Sequence, residues 1–117
     1  MIEFVRGDSF PFYFGLNHKD GTPVTMSEID TLFITCRIKP DSAFPVLFKK
    51  TKDDVTLDEQ GNCHVLFEPK DTEELEYGFY CFDIEVTLMN GYRKTALHEF
   101  NLTKESTTHK DGVVNEN

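Results

Sequence analysis

Gly78-Phe79-Tyr80-Cys81-Phe82-Asp83-Ile84-Glu85-Val86-Thr87-Leu88, followed at once by Met89-Asn90-Gly91, carries the strongest structural signal in the chain. Tyr80, Phe82, Ile84, Val86 and Leu88 alternate with Cys81, Asp83, Glu85 and Thr87, the period-2 pattern of a strand with one core face and one outer face. Asn90-Gly91 predicts a hairpin, because a type I′ turn needs positive φ at both central positions. The partner strand then carries Ala96, His98, Phe100 and Leu102 in phase. Gly78-x-Tyr80-x-Phe82 fits the tyrosine corner of immunoglobulin-like domains, in which the Tyr hydroxyl ties back to the chain just upstream. Structural roles follow for Gly78, Tyr80 and Phe82, with Phe82 standing where an antibody domain has its second Cys.

The same alternation extends upstream. Phe10, Phe12, Phe14 and Leu16 share one face, with Pro11, Tyr13 and Gly15 between them, and Asp20-Gly21 supplies a turn. Thr25-x-x-Glu28 has the spacing of a capping box, with room for one helical turn. Leu32, Ile34, Cys36 and Ile38 then face inward and Thr35, Arg37 and Lys39 outward, with Phe33 as the exception. Short strands are expected at Val46 to Lys50 and around Val55 and Leu57, the latter an edge guarded by lysines. Cys63, Val65 and Phe67 alternate inward until Pro69. Asp71 is expected as the N-cap of a second helical turn with Glu74 at N3. The expectation is an all-β, immunoglobulin-like antiparallel β-sandwich of about seven strands, with one or two short helical turns in its crossovers. It occupies residues 1–103, and 104–117 form a polar, flexible C-terminal tail.

A chain of 117 residues suits one core. Eleven Phe and no Trp make Phe its chief filler. The net charge of −9 argues against nucleic-acid phosphates and against anionic membrane surfaces as partners. No apolar run is long enough to span a bilayer, and Met1 to Arg6 lack the regions of a signal peptide, so folding in a cytoplasm is expected. Three cysteines form no metal knuckle. Parity places Cys36 in the core and Cys81 on the opposite face, so these two cannot bridge.

No catalytic arrangement emerges. His18, His64, His98 and His109 have no nucleophile or acid at a motif spacing. Cys81, Asp83 and Glu85 form a row on one strand face, but positions two apart on a strand lie about 7 Å from each other, too far for a compact metal site without help. Arg6-Gly7-Asp8 leads directly into a strand and is read as a turn or strand entry. No cofactor is expected.

The order of these features is more specific than any one of them. Arg6-Gly7-Asp8-Ser9 enters the first alternating strand, and Asp20-Gly21-Thr22-Pro23 forms a turn. Pro69-Lys70-Asp71-Thr72 and Leu75 precede Gly78-Phe79-Tyr80-Cys81-Phe82-Asp83-Ile84, and Phe100-Asn101-Leu102 closes the set. From about residue 5 to 103 this resembles bacteriophage and prophage structural proteins, notably the N-terminal domain of siphophage upper baseplate proteins. It departs at Thr103-Lys104-Glu105-Ser106, where that family continues Asp-Val-Thr. The resemblance implies a non-enzymatic virion structural or assembly protein, baseplate, tail or head–tail, present in the bacterial host cytoplasm during assembly and then in the virion. Its partners would be other virion or tail proteins and copies of itself. Tyr13, Phe33 and Phe79 are the exposed aromatics expected to anchor such contacts. Two rival readings remain: a carbohydrate- or ligand-binding, adhesin-like module, and a metal-dependent enzyme using Cys81, Asp83 and Glu85.

Overall fold

Two sheets face each other across a core built from the predicted alternating positions. The computed structural model describes residues 1–104, so the expected tail, His109 included, lies outside the described residues apart from Lys104. The strands are β1 (Ile2–Val5), β2 (Phe10–Gly15), β3 (Ile29–Arg37), β4 (Phe48–Thr51), β5 (Val55–Leu57), β6 (Asn62–Phe67), β7 (Gly78–Leu88) and β8 (Arg93–Thr103). One sheet has the order β1-β8-β7-β3-β4 and the other β2-β6-β5. The fold is an immunoglobulin-like β-sandwich, with β7, β8 and β3 in the places of strands F, G and C, and β2, β6 and β5 in those of B, E and D.

The core follows the expected parity. Leu32, Ile34 and Cys36 from β3 are buried, as are Cys63, Val65 and Phe67 from β6 and Phe82 and Ile84 from β7. Phe4, Phe67, Phe82 and Phe100 fill its centre, with Phe4 stacked on Phe100 at 4.4 Å and Phe67 edge-on to Phe82 at 5.3 Å. Such pairs add to the area term of aromatic burial. Tyr80 Oη donates to the Glu76 carbonyl at 2.6 Å, which closes the tyrosine corner. Gly78 opens it at φ +141°, a conformation that side chains with a Cβ rarely adopt.

Several details differ from expectation. Among the described residues there are eight strands: β1 adds one, and it pairs with β8 in parallel, Ile2 opposite Phe100. The same residues hold three helical turns, 3-10 turns at Met26–Glu28 and Lys52–Asp54 and the one-turn helix α1 at Pro69–Thr72. The α1 cap sits three residues earlier than predicted, with Glu68 as the N-cap and Asp71 at N3. Pro69 fixes that start, because its preset φ and missing N–H suit the first helical position. Asp71 accepts the Glu68 N–H at 2.7 Å, and Glu74 is exposed with no capping role. β3 stops at Arg37, leaving Ile38 47% exposed. The short strand expected at Val46 to Lys50 starts and ends later, at Phe48–Thr51. The hairpin loop has three residues rather than two: Gly91 N donates to Leu88 O, Leu88 N donates to Tyr92 O, and Gly91 takes φ +89°. No helix among the described residues is long and apolar enough to cross a membrane.

Candidate functional site

The open end of the sandwich follows from where β1 goes. In a constant-type immunoglobulin domain strand A lies beside strand B, whereas here the first strand joins β8 in the other sheet. β2 is therefore an edge strand. On the opposite sheet, β1 covers β8 only from Phe100 onward, so among the described residues no strand pairs with the outer edge of β8 from Arg93 to Leu97. Between these two edges lies a cleft of about 910 Å³. Phe14, Leu16, Val24, Ile84, Val86 and Leu88 supply its apolar surfaces, and His18, Lys19, Asp20, Tyr92, Lys94 and His98 its polar ones. Ala96 is in core phase yet exposed, because nothing on the facing sheet reaches it.

The rim is organised by local turns. His18 Nε2 lies 3.1 Å from Glu28 Oε2, and Thr25 N donates to Glu28 Oε1 at 2.9 Å, so the predicted capping box also positions His18. The Thr25 N–H, followed by His18, holds the Glu28 carboxyl below the usual range. The hydroxyl and N–H of Thr22 do the same for Asp20. Lys19 Nζ stands 5.9 Å from the Tyr92 ring centre. His98 stacks on Phe82 at 5.3 Å and meets Phe12 edge-on at 5.2 Å. Backbone edges beside an apolar floor can bind an extended chain. The arrangement pairs no nucleophile with a base. The Cys36 and Cys63 thiols are buried, and burial pushes them up to about 12 and about 11, which removes them as thiolates at neutral pH.

The structure separates the three aromatics expected to anchor an interface. Tyr13, 65% exposed, stacks on His64 on the outer face of the three-stranded sheet. Phe33 and Phe79 lie on the outer face of the other sheet, where Phe33 is half-buried under Lys49 Nζ at 4.2 Å. Phe33 pairs with Glu85, six positions along β7 from the exposed Phe79, so the three form no common patch. The Cys81 row is also less open than predicted. Cys81 points away from the core but is only 4% exposed, with Sγ 3.5 Å from the Arg37 carbonyl. Arg37 also reaches Asp83 at 3.9 Å. Among the described residues no group of three His, Cys, Asp or Glu side chains is placed to hold a metal ion. Arg6 of Arg6-Gly7-Asp8 is committed elsewhere: its guanidinium lies 4.0 Å from the Tyr77 ring centre and donates to the Leu75 carbonyl, while Gly7 N donates to Thr72 Oγ1.

Sequence reasoning missed Lys50. It lies opposite Ile34 on the core side of β4, is 6% exposed, and places Nζ 2.7 Å from Asp71 Oδ2 and 3.5 Å from Glu68 Oε1. The α1 cap acceptor is thus also the counter-ion of a buried lysine. The available signal was parity, since Phe48 and Lys50 share a face. The open cleft had no local signal at all.

No family model matches the chain, and no curated protein matches it. Among solved structures it is similar to CopC from Methylosinus trichosporium OB3b, at 13% identity and TM-score 0.43, over 86% of this chain and 98% of that one. It is also similar to murine CRIg, at 7% identity and TM-score 0.43, over 90% of this chain and 92% of that one.

Proposed function

We propose that the chain is a non-enzymatic structural or assembly protein of a phage or prophage virion, associated with the tail or baseplate, that works through protein–protein contacts. The observation that carries this is the open end: two strand edges, on β2 and on β8, with no partner strand among the described residues, flanking an apolar cleft. An exposed edge is a template for another chain, and monomers usually blunt or cover it. The ordered motifs from Arg6 to Leu102, which resemble siphophage baseplate proteins, supply the biological setting. Away from the cleft, Asp71 and Lys50 are engaged in a cap and a buried pair, which supports a function carried by the surface. Co-expression with the structural proteins encoded beside it tests the proposal. A stable complex of defined stoichiometry is expected, and a chain that binds none of them would contradict it.

The cleft favours one second reading, a carbohydrate- or other ligand-binding module, since it joins an apolar floor to a rim of His18, Lys94 and Tyr92. Binding on a glycan array that Tyr92→Ala, at the exposed rim, abolishes in a chain that still folds would favour that reading over assembly.

A further inference from the structure

The β2–β6 ladder fixes which backbone groups face the opening. Leu16 N donates to Gly61 O, and pairing continues from Gly15 opposite Asn62 to Phe10 opposite Phe67. Hydrogen-bonded pairs alternate in an antiparallel ladder, so Phe10, Phe12 and Phe14 direct their backbone groups to β6. Tyr13, Gly15 and Asn17 direct theirs outward, and Pro11, which has no N–H, stands at an outward position as an edge strand allows. On β8, Leu88 N donates to Tyr92 O, so Arg93, Thr95 and Leu97 direct theirs to the same opening. We infer that the β2 edge takes an extended segment of the partner protein, antiparallel to β2, with an acidic residue against Lys94 and a large apolar residue two positions later over Ala96. The inference rests on the protein-contact reading above and specifies that partner's chemistry.

The facing sheet sets this pattern. Phe10 stacks on Phe4, which lies opposite Leu102, and Phe12 meets His98 edge-on at 5.2 Å, so β2 and β8 run in opposite directions. Steps of two along each strand bring Phe14 level with Ala96 and Leu16 level with Lys94, and all four line the cleft. Opposed residues of a strand pair share a face. A segment beside β2 therefore points the residue opposite Phe14 over Ala96, and the residue opposite Leu16 toward Lys94. Ala96 is small and exposed, and Phe14 is only half-buried, so one large apolar side chain covers surface that the fold leaves in water.

Charge selects the acidic position. Lys94 is opposite Val86 on β7, in core phase at the mouth of the cleft, and no carboxylate among the described residues is ion-paired with it. The rim acids are already held by local donors: Asp20 accepts from Thr22 N and Oγ1, and Glu28 accepts from Thr25 N and lies 3.1 Å from His18 Nε2. Lys19 lines the same mouth. In a chain of net charge −9, this mouth favours an incoming acid and disfavours a base. The row of outward backbone donors and acceptors favours a polypeptide over a small amphipathic acid.

Fluorescence anisotropy tests this with the peptide Ser-Glu-Thr-Val-Thr-Leu-Ser, acetylated at its N-terminus, labelled at its C-terminal end and titrated with the full chain. Saturating, equimolar binding is expected. Methylating the backbone nitrogens of both Thr, which face β2, should abolish it. Replacing the peptide Glu by Lys should weaken binding about tenfold, Lys94→Glu in the chain should do the same, and the two changes together should restore it. Lys94 is exposed, so Lys94→Glu should fold as the wild type does by circular dichroism. Absence of saturable binding would overturn the inference. Equal binding of the methylated peptide, or full displacement by dodecanoate with no effect of methylation, would also overturn it, because the cleft would then take an apolar acid and not a strand. A chain that binds a co-encoded structural protein but not the peptide overturns only the strand pattern. Peptide binding without such a partner supports the strand site and counts against the virion role.

Discussion

The two ends of the space between the sheets are built in opposite ways. At the closed end, around α1, β1 and β4, polar groups are tied into the fold: Lys50 to Asp71, Arg6 to Leu75 and Tyr77, Tyr80 to Glu76. At the open end, around the β7–β8 hairpin, core-phase positions such as Ala96 stand in solvent and strand edges have no partner among the described residues. The difference comes from a single topological choice, the pairing of β1 with the last four residues of β8. That choice completes one end and leaves the other open.

Substitutions should therefore divide along this axis. Phe82→Ala, at the centre of the aromatic cluster, is expected to cost about 4 kcal/mol by denaturant unfolding. Lys50→Met leaves Asp71 as a buried charge without its counter-ion and should cost about 3 kcal/mol, whereas Lys50→Met combined with Asp71→Asn should recover most of that loss. A double variant no better than the single would show that the pair is not what seals this end.

The buried thiols set an alkaline limit. Burial pushes the Cys36 thiol up to about 12 from an ordinary value of 9.0, so the folded state holds a proton that the unfolded chain releases. Its contribution is fully present below about pH 9 and is lost as pH rises above that, by up to about 1.4 kcal/mol per pH unit. Unfolding free energies from pH 7 to 10.5 should stay flat and then fall, and Cys36→Ala should flatten the fall. Tyr80→Phe removes only the hydroxyl bond of the corner and should cost about 1 kcal/mol. Leu97→Ser, half exposed on the open edge, should change monomer stability by less than about 0.5 kcal/mol.

Much of this was legible in the sequence where the information is local. Alternation along Tyr80 to Leu88 and Cys63 to Phe67 located the core, and Thr25 to Glu28 located its cap. What failed depended on distant partners. β1 is four residues long, and the strand it joins lies 98 positions further on, beyond the reach of any periodicity. Asp71 resembles an N-cap with Glu74 three positions later until Pro69 shifts the helix start. Lys50 reads only as the end of a short strand because its counter-ion arrives from 21 positions away. The open end was invisible for the same reason: Ala96 and His98 have core phase, and only the missing neighbour of β2 reveals that the phase is not fully used.

The most direct test of this division is amide hydrogen exchange on the full chain, alone and mixed with the co-encoded structural protein that the proposal expects to bind it. The account predicts new protection at Arg93, Thr95 and Leu97 and along β2, with the amides around α1 and β4 unchanged. Protection gained at α1 and β4 instead, with the β8 edge still exchanging freely, would contradict it.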